Sequence, residues 1–368
     1  MTCDFIAQAN EGIQGLQPYQ PGKPIEELER ELGLSDVVKL ASNENPLGAP
    51  GSALSAYAAA AAQLHLYPDA GGFALKSLLA ESLGVESAQL TLGNGSNDVL
   101  DLLGRVFLDA ESSAVFSQYA FIVYPIAVQA AGAQARIAPA KDWGHDLDAM
   151  AALIDNTTRL VFIANPNNPT GTWLNEQALR GFMAAVPENV VVVLDEAYCE
   201  YVDEAAYPDS IAMLADYPNL VVTRTFSKAY GLAGLRVGYA ISHPDIADLL
   251  NRVRAPFNVS VPAMAAAAAA YRDHEYLQQS RQVNTAGREQ LVAAFDELGL
   301  PYIPSVGNFI TVEMPSDAMP YYQALLEKGV IVRPIGVYGM PRHLRVSIGL
   351  EQENQRFISA LKEVLAPA

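Results

Sequence analysis

Short apolar runs alternate with longer amphipathic stretches through the middle of this chain, and that rhythm limits the folds open to it. Residues 114–117, 160–164, 190–194, 220–223 and 237–241 read as strands, with 97–108 and 175–185 as helices between them. Apolar runs without polar alternation suit strands buried on both faces. Strands separated by helices imply an α/β fold with a mostly parallel sheet flanked by helices. In such sheets ligands bind beyond the carboxyl ends of the strands. Asp195 and the NPNNPTG turn (165–171) each follow a strand directly, which places both on that edge.

From about residue 283 the pattern becomes helix, strands, helix, through GNFITVEM (307–314), VIVRPI (330–335) and LRVSIG (344–349). This reads as a smaller α+β domain, in keeping with a 368-residue chain that is expected to divide in two. A net charge of −18, from 23 basic and 41 acidic residues, argues against a nucleic-acid partner, which needs clustered Lys and Arg. It leaves small anionic substrates open, since these need only a local pocket of arginines. Two cysteines, Cys3 and Cys199, make no disulfide framework. The stretch MTCDFIAQANEG lacks the basic and apolar regions of a signal peptide, and no apolar run reaches the roughly 18 residues that span a bilayer. AMAAAAAAY (263–271) reads as a closely packed helix. A cytoplasmic protein is the expectation, and the five histidines show no metal-ligand spacing.

Three motifs in a fixed order carry the chemistry: NPNNPTG, VVVLDEAYCEY (191–201) and TFSKAYGLAGLRVGY (225–239). Together they supply what pyridoxal phosphate requires. Lys228 is able to form a Schiff base with an aldehyde. Asp195, at a strand end, is suited to pair with a pyridine nitrogen and keep it protonated, making the ring a better electron sink. Asn168 and Tyr198 are suited to hydrogen-bond the ring's phenolate oxygen, and Arg236 offers the phosphate a planar charged fork. GNGSND (93–98) runs from a glycine-rich turn into a helix start, a ready anion site.

From PYQPGKP (18–24) and LASNENPLG (40–48) to LRVSIGLEQENQRFI (344–358), the chain resembles the fold-type I pyridoxal-phosphate aminotransferases, and among them the histidinol-phosphate aminotransferase family. The resemblance implies an aspartate-aminotransferase-like fold. Residues 1–45 would be an arm joining the small domain or a partner subunit, 46–282 the large domain and 283–368 the small one. It implies a homodimer in which Tyr67 reaches the phosphate of the neighbouring subunit's cofactor. It assigns Lys228 as anchor and general base, and Ser96, Asn97, Thr225, Ser227 and Arg236 to the phosphate. Ser96 and Asn97 would act mainly through backbone N–H groups; family members often carry an acidic residue near Asn97, and this departure leaves the Asn97 side chain without an assigned role. Tyr119 matches the aromatic that stacks on the ring, and Asn165 is expected only to shape its turn. Arg345 matches the arginine that holds an α-carboxylate, Arg333 one associated with phosphate-bearing substrates, and Tyr19 and Asn45 N-terminal substrate contacts. The activity implied is transamination between L-histidinol phosphate and 2-oxoglutarate. An aromatic amino acid aminotransferase or a phosphothreonine decarboxylase would keep the same cofactor residues. A non-catalytic sensor would need an added DNA-binding domain and a basic surface.

Overall fold

The computed structural model describes residues 3–19 and 22–366. Gln20 and Pro21 of the PYQPGKP motif lie outside the described residues, as do the first two of the stretch inspected for a signal peptide. Seven strands form the large sheet, in the order Leu90–Gly93, Gly238–Ile241, Leu220–Thr225, Val191–Asp195, Thr158–Ala164, Ser113–Ser117 and Gln134–Ala138. Gly238–Ile241 runs antiparallel to both neighbours, and the other pairings are parallel. The five strands expected from the apolar runs are present within one or two residues. Two escaped that reading. Leu90–Gly93 is only four residues long and is broken by Thr91, while Gln134–Ala138 is an edge strand that largely faces solvent.

Alternation along each strand divides its side chains between two cores. Val161 and Ile163 join Leu179, Phe182 and Met183 on one face, while Leu160 and Phe162 join Leu103, Tyr124 and Leu250 on the other. Each fully buried side chain of this size contributes about 1.5–3 kcal/mol. The alanine run lies in the helix Val261–Arg272, which buries Ala263, Ala266, Ala267 and Ala270 and packs on helix Gly51–Ala60. Small side chains are what permit that closeness.

A second core gathers Leu291, Phe295, Ile310, Val346 and Phe357 around a four-stranded antiparallel sheet, ordered Tyr302–Ile303, Phe309–Glu313, His343–Ser347, Arg333–Pro334. The short strand Val38–Lys39 pairs in parallel with Val330–Ile331, and Leu40 enters this core. The boundary expected at 282/283 falls inside one helix, His274–Glu297. Near its start Leu277 packs beside Tyr198 and Tyr201, and near its end Leu291, Ala294 and Phe295 belong to the second core. We propose that the chain passes between its domains within this helix, where no linker composition marks the crossing. Among the described residues no helix is long and apolar enough to cross a membrane.

Candidate active site

Three adjacent strands deliver the motifs to one cavity. Asp195 is in register with Ala164 on one side and Thr223 on the other, so the NPNNPTG turn and the Lys228 motif leave the sheet beside it. Two strands further, Gly238 is paired with both Gly93 and Thr225, which brings the start of helix Ser96–Phe107 next to Thr225. Ser96, Asn97, Asn168, Asp195, Tyr198, Thr225, Ser227, Lys228 and Arg236 all line this cavity, and Tyr19, Arg333 and Arg345 close it from the arm and the small domain.

Close packing defines one wall. A Cβ on Gly238 would lie 2.3 Å from the Ser96 nitrogen, and one on Gly95 would lie 2.4 Å from an Arg236 guanidinium nitrogen. Gly95 also has φ +82°, which side chains rarely adopt. Arg236 is itself left-handed, at φ 56°. Its Nη1 donates to Ser227 Oγ at 3.3 Å and to the Ala233 carbonyl at 3.0 Å. Backbone N–H groups at a helix start, two hydroxyls and a guanidinium form a donor set suited to a phosphate.

Lys228 Nζ donates to the Ser42 carbonyl at 3.1 Å and lies 5.8 Å from the centroid of the Tyr198 ring. Burial, reinforced by the charges of Arg345 and Arg236, pulls its pKa down to about 8. Asp195 accepts from Tyr124 and Thr223. Burial pushes its pKa up to about 6 against those two hydrogen bonds. The Tyr198 hydroxyl accepts from Asn43 Nδ2 at 3.0 Å and Asn168 Nδ2 at 3.2 Å, while burial raises its pKa to about 12.

Arg345 is buried. Its Nη1 donates to Asn168 Oδ1 at 2.6 Å and its Nη2 to the Ala41 carbonyl at 2.7 Å, while its Nε has no partner among the described residues. Strand register sets Arg333 directly opposite Arg345, and the Arg333 guanidinium carbon lies 5.8 Å from the Tyr19 ring centroid.

Tyr119 and Asn45 face away from the cavity, and Tyr67 lies at the surface. Tyr119 does not line the cavity: its ring lies 5.3 Å from Trp143 and its carbonyl accepts from Asn167, while Phe121, two residues on, reaches the cavity instead. Asn45 is turned away, donating through Nδ2 to the Ala229 carbonyl and Ser280 Oγ, and Asn43 occupies the wall. Tyr67 is 81% exposed and stacks on Phe257 at 4.7 Å. Asn165 shapes its turn, bonding the backbone of Leu174 in both directions. Ser42, Asn43, Phe121 and Tyr338 line the cavity without having been read from sequence. Asn43 lay inside a quoted motif, but its anchor, Ser347, is 304 residues away and leaves no local signal.

The family model for aminotransferase class I and II matches residues 35–361, and the chain belongs to that family. It is a pyridoxal-phosphate-dependent transaminase. Histidinol-phosphate aminotransferase 2 of Pseudomonas fluorescens (strain Pf0-1) is 61% identical over 368 residues, covering 100% of both chains. The protein of that name from Pseudomonas aeruginosa is 60% identical over 99% of each. Among solved structures, histidinol-phosphate aminotransferase from Sinorhizobium meliloti, in complex with pyridoxal-5'-phosphate, superposes with a TM-score of 0.90 at 32% identity, over 97% of each chain. Aspartate aminotransferase from Thermus thermophilus, at 21% identity and TM-score 0.85, shares the fold.

The cavity's groups suit this cofactor: an amine for the aldehyde, a carboxylate for the ring nitrogen, donors for the ring oxygen, and a phosphate wall too tight for a Cβ at Gly95 or Gly238.

Proposed function

We propose that this chain transfers the amino group between L-histidinol phosphate and 2-oxoglutarate, giving imidazole acetol phosphate and L-glutamate in histidine biosynthesis. Bound pyridoxal phosphate supplies the electron sink and carries the amino group between the two half-reactions. The chain's part is to hold and move protons around it. Lys228 would anchor the cofactor through its amine and would serve as the general base that moves a proton at the substrate α-carbon. Asp195 keeps the ring nitrogen protonated. Asn168 and Tyr198 favour the ionised ring oxygen, and Ser96, Asn97, Thr225, Ser227 and Arg236 hold the phosphate.

The observation that carries the substrate reading is the pairing of Arg333 with Arg345 on adjacent strands at the cavity wall. Like charges directly opposite are unfavourable, and anionic substrates relieve the repulsion. Arg345, with its buried Nε, suits the α-carboxylate of glutamate. Arg333 suits the phosphate of histidinol phosphate, and Tyr19 the arm of the substrate between them.

The active form we propose is a cytoplasmic homodimer. Leu54, Tyr57, Leu64, Leu66, Tyr67, Phe73 and Phe257 are large apolar or aromatic side chains left exposed in a single chain, which supports a partner subunit. Both cysteines are free, as suits a reducing compartment. The test is a half-reaction panel. Purified holoenzyme is mixed with L-glutamate, L-histidinol phosphate or L-phenylalanine, and the cofactor's visible absorbance is followed. Glutamate and histidinol phosphate should react fastest. A wide preference for phenylalanine would move the assignment to aromatic amino acids.

A further inference from the structure

Asp195 is held by two neutral donors that its own motif does not contain. The Tyr124 hydroxyl donates to Oδ2 at 2.9 Å and the Thr223 hydroxyl to Oδ1 at 2.9 Å. Tyr124 is wholly buried, and its ring stacks on Phe162 at 4.8 Å with 9° between the planes, so the hydroxyl has little freedom to point elsewhere. Thr223 is equally buried and is the direct strand partner of Asp195. Each oxygen of the carboxylate therefore has one fixed donor, delivered from a different element.

We propose that Tyr124, supported by Thr223, is a positioning residue for the transamination, fixing the Asp195 carboxylate and keeping the shared proton on the cofactor's ring nitrogen. The inference rests on the reading that Asp195 faces that nitrogen. Burial favours a protonated Asp195, and a neutral carboxyl cannot hold a pyridinium by charge. Two hydrogen bonds to the carboxylate act in the opposite sense. Burial and the adjacent carboxylate hold the Tyr124 phenol far above its ordinary range, so it stays a donor. Without the hydroxyl the proton shifts from nitrogen towards Asp195, and the ring becomes a weaker sink.

The test uses holoenzyme carrying pyridoxal phosphate labelled with nitrogen-15 in the ring. The nitrogen shift, kcat and KM are read for wild type, Tyr124→Phe, Thr223→Val and Asp195→Asn. Tyr124→Phe keeps the stacked ring and removes one charged hydrogen bond. It should move the shift towards the unprotonated value and lower kcat about tenfold, with KM for glutamate within about twofold. Thr223→Val should move the shift in the same direction. A wild-type shift and kcat in folded Tyr124→Phe, with Asp195→Asn changing both, overturns the proposal alone. If Tyr124→Phe does not fold, an unchanged shift in Thr223→Val overturns it. An unchanged shift in Asp195→Asn removes the reading beneath it.

Discussion

Asp195 and Thr225 enter the cavity from neighbouring strands of one sheet, and Lys228 from the turn just beyond one of them, whereas Asn43, Arg333 and Arg345 come from the arm and the small domain. The first wall is held by strand register and by glycines that admit no Cβ, so its geometry exists before anything binds. The second is held by hydrogen bonds between distant parts of the chain, such as Arg345 to Asn168 and to the Ala41 carbonyl. A cofactor retained through every turnover suits a rigid wall. Two substrates of different shape, taken in turn, suit a wall made of long side chains able to exchange partners. Changes to the first wall should therefore alter cofactor retention and chemistry, and changes to the second should alter the choice of substrate.

The largest expected effect is at Lys228. Lys228→Ala should abolish turnover while leaving cofactor binding measurable by equilibrium dialysis, because the phosphate and ring contacts persist. Transamination above a small fraction of the wild-type rate would overturn its role. The sign of the pH dependence follows from its lowered pKa. Only the neutral amine attacks an aldehyde, so covalent capture of cofactor by wild-type apoprotein should speed up as pH rises through about 8, then level off. A rate still climbing at pH 10 would contradict the depressed value.

A sharper probe of the rigid wall is Gly238→Ala, whose methyl would sit 2.3 Å from the Ser96 nitrogen. Overpacking of this kind costs about 1–3 kcal/mol, which should appear as weaker cofactor affinity with KM for both amino donors nearly unchanged. Loss of substrate affinity with normal cofactor binding would dissolve the distinction between the walls.

On the second wall, Arg345→Lys keeps the charge and loses the fork, and should impair glutamate more than histidinol phosphate. Arg333→Lys should do the reverse, with losses of about 1.5–3 kcal/mol per charged hydrogen bond in kcat/KM. Equal damage to both donors in both variants would mean the two arginines do not divide the work.

The smallest effect concerns Tyr67, which in a single chain meets Phe257 rather than the cavity. Mixing Lys228→Ala chains with Tyr67→Phe chains should restore partial activity if the tyrosine serves a partner's site. No recovery, with subunit exchange verified by mass spectrometry, would keep Tyr67 in its own subunit.

Legibility from sequence divides along the same line. Five strands of the sheet, its ligand edge and most of the first wall could be read because they lie close to an apolar run or a helix start, features confined to a few neighbouring residues. Phe121 in place of Tyr119, and Asn43 in place of Asn45, could not. In both loops, which of two residues two apart lines the cavity depends on which way the backbone turns. Asn43, at φ 54°, is in the left-handed region, and its orientation is set by Ser347 and Asn308. Tyr124 was invisible for a similar reason, since its partner Asp195 is 71 residues further on.

Residues 41–43 carry a consequence for synthesis on the ribosome. Each gives a polar group to a different part of the finished pocket: the Ala41 carbonyl to Arg345, the Ser42 carbonyl to Lys228, and the Asn43 amide to Tyr198. These residues leave the exit tunnel among the first, yet their partners Arg345 and Ser347 emerge about three hundred residues later. The large sheet is able to form while translation continues. The substrate wall is not: it stays incomplete until Arg345 and Ser347 have been made.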